Sequence, residues 1–180
     1  PAADFLETVA REFPAAPLIA EDLGYITPDV IEVMDRFGLP GMKLLLFAFG
    51  PDLPANPYAP HNLKENCIVY TGTHDNNTAR GWFEQESTRE ERALLARYIG
   101  REVTPETVAA ELVRLAMMSV ADTAVFPMQD VLGLGAEARM NRPATPNGNW
   151  EWRVTEEQLS PLLAEGLRAM TEIYGRLWIN

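Results

Sequence analysis

The amino-acid sequence predicts an α/β protein built on parallel strands, and three observations carry that prediction. Short apolar runs alternate with amphipathic helical stretches along the 180 residues, the order of repeated strand–helix units. The run Met42-Lys43-Leu44-Leu45-Leu46-Phe47-Ala48-Phe49 is broken only by Lys43, which suits a strand covered on both faces. Polar and acidic residues follow directly on the runs at 17–20 and 67–70, where strand ends in such folds face their ligands.

Each element has a local reason. Phe5, Leu6, Val9 and Phe13 have helical spacing over 4–13, and Pro14 stops the helix. Pro17-Leu18-Ile19-Ala20 reads as a buried strand ending in Glu21-Asp22. Thr27 is an N-cap with Pro28 at the first helical position, Val30, Ile31, Val33, Met34 and Phe37 form the apolar face, and Gly38 is the C-cap. After the strand at 42–49 comes a long loop, 50–66, with four prolines. Its Asn56-Pro57-Tyr58 and His61-Asn62 favour a functional role. Cys67-Ile68-Val69-Tyr70 is the third strand, with Thr71-Gly72-Thr73-His74-Asp75-Asn76 at its C-terminal end. Thr88 and Glu91 make a capping box for a helix reaching about Ile99. Thr104-Pro105 opens a helix with Val108, Leu112, Leu115 and Met118 on one face. Ala124-Val125-Phe126-Pro127 is the fourth strand. An irregular stretch follows, and Thr155 with Gln158 opens a last helix whose Leu163, Leu167, Met170, Tyr174 and Leu177 face the core.

Composition narrows the function. The net charge of −11 argues against a nucleic-acid surface, which needs Lys and Arg to neutralise phosphate. No apolar run approaches the roughly 20 residues of a membrane span. A lone Cys67 excludes an internal disulfide framework and suits a reducing, cytoplasmic compartment. It opens an apolar run and reads as a buried small hydrophobe. No signal peptide is visible. The first residues also lack a starting Met, consistent with an N-terminus made by cleavage or by a cut within a longer coding sequence. A closed eight-unit barrel needs about 200 residues, so this chain is short for one.

Glu21 and Asp75 are the main candidates for chemistry. They lie about two strand–helix units apart, a separation at which two side chains can point into one barrel mouth. Paired carboxylates there are what glycosidic chemistry needs: one group protonates the leaving oxygen and negative charge supports an oxocarbenium-like transition state. The alternative is that both are caps or ion-pair partners at strand ends. His74, beside Asp75, can hydrogen-bond a substrate hydroxyl. His61 and His74 lack metal-ligand spacing, and neither a metal nor another cofactor is expected. Trp82, Trp150, Trp152, Tyr58 and Phe47 are candidates for stacking on sugars, with core packing the alternative for most. Asp122 and Asp130, flanking the last strand, read as structural.

Seven segments occur together in one order: P-L-I-A-E-D-L-G (17–24), L-P-G-M-K (39–43), F-A-F (47–49), N-P-Y (56–58), P-H-N (60–62), V-Y-T-G-T-H-D-N (69–76) and G-N-W-E-W-R (148–153). In these the chain resembles the 4-α-glucanotransferases (amylomaltase, disproportionating enzyme; glycoside hydrolase family 77). The resemblance implies a TIM (β/α)8 barrel, with residues 1–180 forming its second half as four parallel strand–helix units. It implies retaining transfer between α-1,4-glucans and maltooligosaccharides, in starch and glycogen metabolism. Glu21 falls on the family's general acid/base and Asp75 on its transition-state stabiliser. His74 is then a sugar ligand, and Asn141, Asn149 and Trp150 fall in a late motif near the acceptor side.

Departures sharpen the expectation. The family's nucleophile, an Asp in an R-I-D-H-F-type motif, has no counterpart, because no Arg-x-Asp-His pattern occurs here. Leu46 stands where Gln is common and Ala144 where Gly is usual. The expected protein is therefore the C-terminal part of a longer enzyme, inactive alone and self-associating through the exposed edges of a half-barrel. A non-catalytic glucan-binding module is the alternative.

Overall fold

Three strands, β1 (Gly41–Leu44), β2 (Cys67–Tyr70) and β3 (Thr123–Val125), pair in parallel in that order. Met42 stands opposite Ile68, and Val69 opposite Ala124. The structure, a computed structural model, describes residues 2–14 and 16–177. Both ends of the predicted 1–180 unit, Pro1 and 178–180, therefore lie outside the described residues. Helices α1 (Ala2–Glu12) and α2 (Pro28–Phe37) precede the sheet. Between β2 and β3 run α3 (Ala79–Gly81), which continues into a π turn at Trp82–Glu86, then α4 (Arg89–Ile99) and α5 (Val108–Met118). Helices α6 (Met128–Val131) and α7 (Pro161–Ile173) follow β3.

The central strand is apolar because both its faces are covered, and Cys67, Ile68 and Val69 are all buried. Val69 joins Leu45, Leu46 and Phe49 in one core with Leu95 of α4 and Val108, Leu112 and Ala116 of α5. Each such Val, Leu or Phe side chain contributes roughly 1.5–3 kcal/mol by leaving water. Cys67 is the small buried residue expected of it: its thiol donates to the Lys64 carbonyl at 3.0 Å, and burial pushes its pKa up.

Local signals predict some helix ends and misplace others: the Thr155–Gln158 box opens a separate 3₁₀ turn while Ser160 caps α7, and α5 starts at Val108, past Thr104-Pro105. Gly38 ends α2 at φ 62°, a left-handed conformation that glycine adopts freely. The Thr88–Glu91 capping box forms in full, and α4 ends at Ile99. Val108, Leu112 and Leu115 of α5 are buried, but Met118, in the last turn, is half exposed. The predicted α7 stripe is only half buried. Beyond α7, Arg176 reaches back to α5 and donates to the carbonyls of Met117, Ser119 and Ala121 at 2.7, 2.9 and 2.8 Å. The first two are carbonyls that the end of α5 leaves without helical partners, and the third lies just beyond it. Arg176→Ala is expected to cost about 2 kcal/mol, read as a lower urea midpoint. An unchanged midpoint would mean water serves those carbonyls equally well.

Two strand expectations are corrected. The run at 17–20 does not form a strand; it contributes one parallel bridge, Ala20 to Gly41. Pro17 has no N–H to donate, and Leu18 and Ile19 stay 42% and 53% exposed with no neighbouring layer over them. The run at 42–49 leaves strand geometry after Leu44 and turns through a 3₁₀ helix, Leu45–Phe47, over the end of β2. There the Leu46 N–H donates to the Thr71 carbonyl at 3.3 Å. The parallel α/β class therefore stands, with three strands and a bridge among the described residues in place of four strands.

Candidate active site

The ends of the strands meet in a cavity of about 910 Å³ lined by Glu21, Phe47, Tyr70, His74, Asp75, Phe126, Arg139 and Trp150, among others. Of the six residues singled out in the sequence, Glu21, His74, Asp75 and Trp150 line this one space. Asn141 and Asn149 stand behind it.

Glu21 is placed by its neighbour. The Asp22 carboxylate accepts from the Met42 N–H at 2.6 Å and from the Lys43 ammonium at 2.9 Å. It therefore occupies a β1 donor and docks segment 20–24 beside the single Ala20–Gly41 bridge, where the Ala20 N–H donates to the Pro40 carbonyl at 3.0 Å. The carboxylate lies directly over Gly41, where an added Cβ would meet Asp22 Oδ2 at 2.5 Å. Glycine at 41 is what leaves room for this clamp.

His74 and Asp75 sit on a tight turn after β2. Thr73 donates to the Asn76 side-chain carbonyl from its N–H at 2.8 Å and its hydroxyl at 2.9 Å. The segment 139–141 then fixes the turn from outside. The Asn141 N–H donates to the His74 carbonyl at 3.0 Å, and Arg139 donates to the Asp75 carbonyl at 2.8 Å. The Asn141 amide donates to Asp75 Oδ1 at 2.6 Å, and the same oxygen lies 3.3 Å from His74 Nε2. Asn141 is therefore a partner of the carboxylate. Arg139 is a functional neighbour that sequence reasoning missed. Its one sequence signal is its place two residues before Asn141.

Trp150 faces His74 with ring centroids 5.0 Å apart. Its φ of 63° is rare for a bulky residue and is held by an N–H bond to the Met140 carbonyl at 2.7 Å. Asn149 does not face the cavity. Its oxygen accepts from the Arg142 N–H at 2.8 Å and its amide donates to the Thr145 carbonyl at 2.9 Å, so it shapes the 142–149 loop. In that loop Ala144 also has a left-handed φ, 62°. Ala144→Gly is expected to stabilise by about 0.5 kcal/mol, the relief of left-handed strain less the extra freedom glycine gives the unfolded chain. A lower denaturation midpoint would contradict this.

Other expectations move. Loop 50–66 supplies no residue to the cavity lining and is instead wound around buried Asn56. The Asn56 amide donates to the Phe47 carbonyl at 3.0 Å, and Asn62 donates to the Asn56 carbonyl at 2.9 Å. Leu46 is a core residue packed over Gly72 and does not itself line the cavity. Among the aromatics, Phe47 and Trp150 reach the cavity and Trp82 is buried. Asp130 is buried. Among the described residues, no helix is long and apolar enough to cross a membrane, and no cluster of three or more His, Cys, Asp or Glu is placed to hold a metal ion.

The site thus brings carboxylates, a His–Trp pair and apolar walls to the strand ends of a parallel α/β fold, where proteins of that fold class bind their ligands. Comparison with known proteins makes this specific. Residues 1–159 match the family model described as 4-alpha-glucanotransferase, and the chain belongs to that family, glycoside hydrolase family 77. The 4-alpha-glucanotransferase of Thermus thermophilus is 48% identical over 98% of this chain and 36% of its own length. The chloroplastic/amyloplastic 4-alpha-glucanotransferase of Solanum tuberosum is 46% identical over 89% of this chain and 28% of its own. Among solved structures, amylomaltase from Streptococcus agalactiae in complex with acarbose superposes with a TM-score of 0.91 at 36% identity, over 98% of this chain and 35% of that one. The chain thus spans about a third of the length of the relatives it matches, and its fold is that of part of an amylomaltase.

Proposed function

We propose that the chain is the acid/base-bearing part of a retaining 4-α-glucanotransferase, namely the later portion of its barrel. One observation carries the reading: Glu21, His74, Asp75 and Trp150, on three separate segments, line one cavity at the strand ends. Glu21 protonates the glycosidic oxygen of the departing glucan and later takes the proton from the 4-hydroxyl of the incoming one. The Asp75 carboxylate supports positive charge at the anomeric carbon, and its bond from Asn141 holds it in place. Trp150 and Phe47 offer apolar faces to the sugar rings. A retaining reaction needs a second carboxylate about 5–5.5 Å from the acid/base, and in this reading a part of the enzyme outside the chain supplies it. The substrates are α-1,4-glucans and maltooligosaccharides, and the enzyme works in the cytoplasm.

The isolated chain then binds maltooligosaccharide without turning it over. Calorimetric titration is expected to show binding that weakens on Trp150→Ala, with no disproportionation products. Turnover by the isolated chain that is lost on Glu21→Gln would overturn the division of labour proposed here.

The sheet edges carry a second expectation. Leu18 and Ile19 beside one end of the sheet and Val125 on the edge strand at the other are exposed apolar side chains. Self-association at high concentration follows, and a clean monomer by light scattering would count against it.

A further inference from the structure

One buried group lies outside this chemistry and touches both ends of the loop that carries it. Asp130 is 2% exposed and sits in α6, on the connection after β3. Its Oδ2 accepts from the Thr71 hydroxyl at 2.5 Å and its Oδ1 from the Ala79 N–H at 2.7 Å. Thr71 immediately precedes and Ala79 immediately follows segment 72–78, which bears His74 and Asp75. No basic side chain pairs with this carboxylate in the ion pairs among the described residues. Burial pushes its pKa up, against the pull of the two hydrogen bonds. An unpaired buried acid is costly, and the geometry explains its presence: two donors converge from the two stems, and a carboxylate offers each an acceptor without needing to choose an orientation.

We infer that Asp130 is a positioning residue that staples both stems of the 72–78 loop and so fixes Asp75 and His74 against the cavity. It complements Arg139 and Asn141, which hold the turn itself. With the stems released, the loop opens locally while the core of α4 and α5 stays closed. The kinetic arm of the test rests on the glucanotransferase reading; the structural arm does not.

Two variants carry the test, Asp130→Leu, which removes both links, and Thr71→Val, which removes one and keeps the shape. Amide hydrogen exchange on the 180-residue chain is expected to speed up roughly tenfold or more across 72–78 in both variants, with α4 and α5 unchanged. In a full-length relative carrying this chain in place of its matching segment, kcat for maltotriose disproportionation is expected to fall by roughly 10–100-fold with KM nearly constant. Unchanged protection of 72–78 would overturn the proposal. So would an equal loss of protection in α4 and α5, since that marks a global stability role. Thr71→Val keeps the exchange test decisive where Asp130→Leu does not fold. If the unsubstituted graft transfers no glucan, the glucanotransferase reading fails while the exchange result still decides the staple.

Discussion

Glu21→Gln, in a full-length relative grafted with this chain, is expected to lower glucan transfer by roughly 10²–10⁴-fold, the range for removing a general acid/base. Two steps lose their proton: departure of the leaving glucan and activation of the acceptor. They are separable. A glycosyl fluoride donor leaves as fluoride and needs no strong acid, so first-step rates with it are expected to recover most of the loss. Transfer to an acceptor hydroxyl then stays slow, and intermediate accumulates. Affinity for maltooligosaccharide is expected to change little, because Glu21 to Gln preserves shape and the Asp22 clamp on Met42 and Lys43 is untouched. Equal losses with both donors would remove Glu21 from the acid role.

Asp75→Asn is the second large effect, expected at roughly 10²–10³-fold in kcat, the range for removing one preorganised electrostatic contact. Two changes combine here. The negative charge facing the developing oxocarbenium is gone. An amide nitrogen placed at Oδ1 would also oppose the Asn141 amide, which now donates there at 2.6 Å. Asn141→Ala separates the two contributions. It leaves the charge and removes one holding bond, so roughly a tenfold loss is expected. An Asn141→Ala loss as large as that of Asp75→Asn would mean orientation, and not charge, is what the site needs from Asp75.

The parts of this protein that were legible in its sequence are local or repeat along the chain. The Thr88–Glu91 box, the Gly38 stop and the α5 stripe each depend on neighbours within one or two turns, and all three form. His74 and Asp75 were legible because parallel α/β folds place functional groups at strand ends, while Glu21 follows the Ala20–Gly41 bridge and Trp150 reaches the same cavity from the irregular stretch beyond β3. The features that were not legible join distant segments through single side chains. Asp22 anchors its segment to β1 beyond a single bridge, and the hydrophobicity of 17–20 could not reveal that contact. Arg139 binds the Asp75 carbonyl across 64 positions, and Asp130 reaches Thr71 across 59. Neither contact leaves a period or a cap signature. Loop 50–66 looked functional by its length and polar content. Its asparagines instead satisfy backbone groups of the loop and of the chain leading into it, so its polarity serves its own folding. Asn149 likewise spends its hydrogen bonds on the loop that presents Trp150.

The central claim is that a glycosidic bond sits between Glu21 and Asp75. A crystal structure of the grafted enzyme soaked with acarbose or a slow maltooligosaccharide tests it most directly. The expected density places a glycosidic oxygen or nitrogen within about 2.6–3.2 Å of a Glu21 carboxyl oxygen. It also places the adjoining ring beside Asp75 and His74. A sugar chain seated elsewhere, for instance at the cleft beside His61 and Tyr98, with Glu21 facing only solvent, would contradict it.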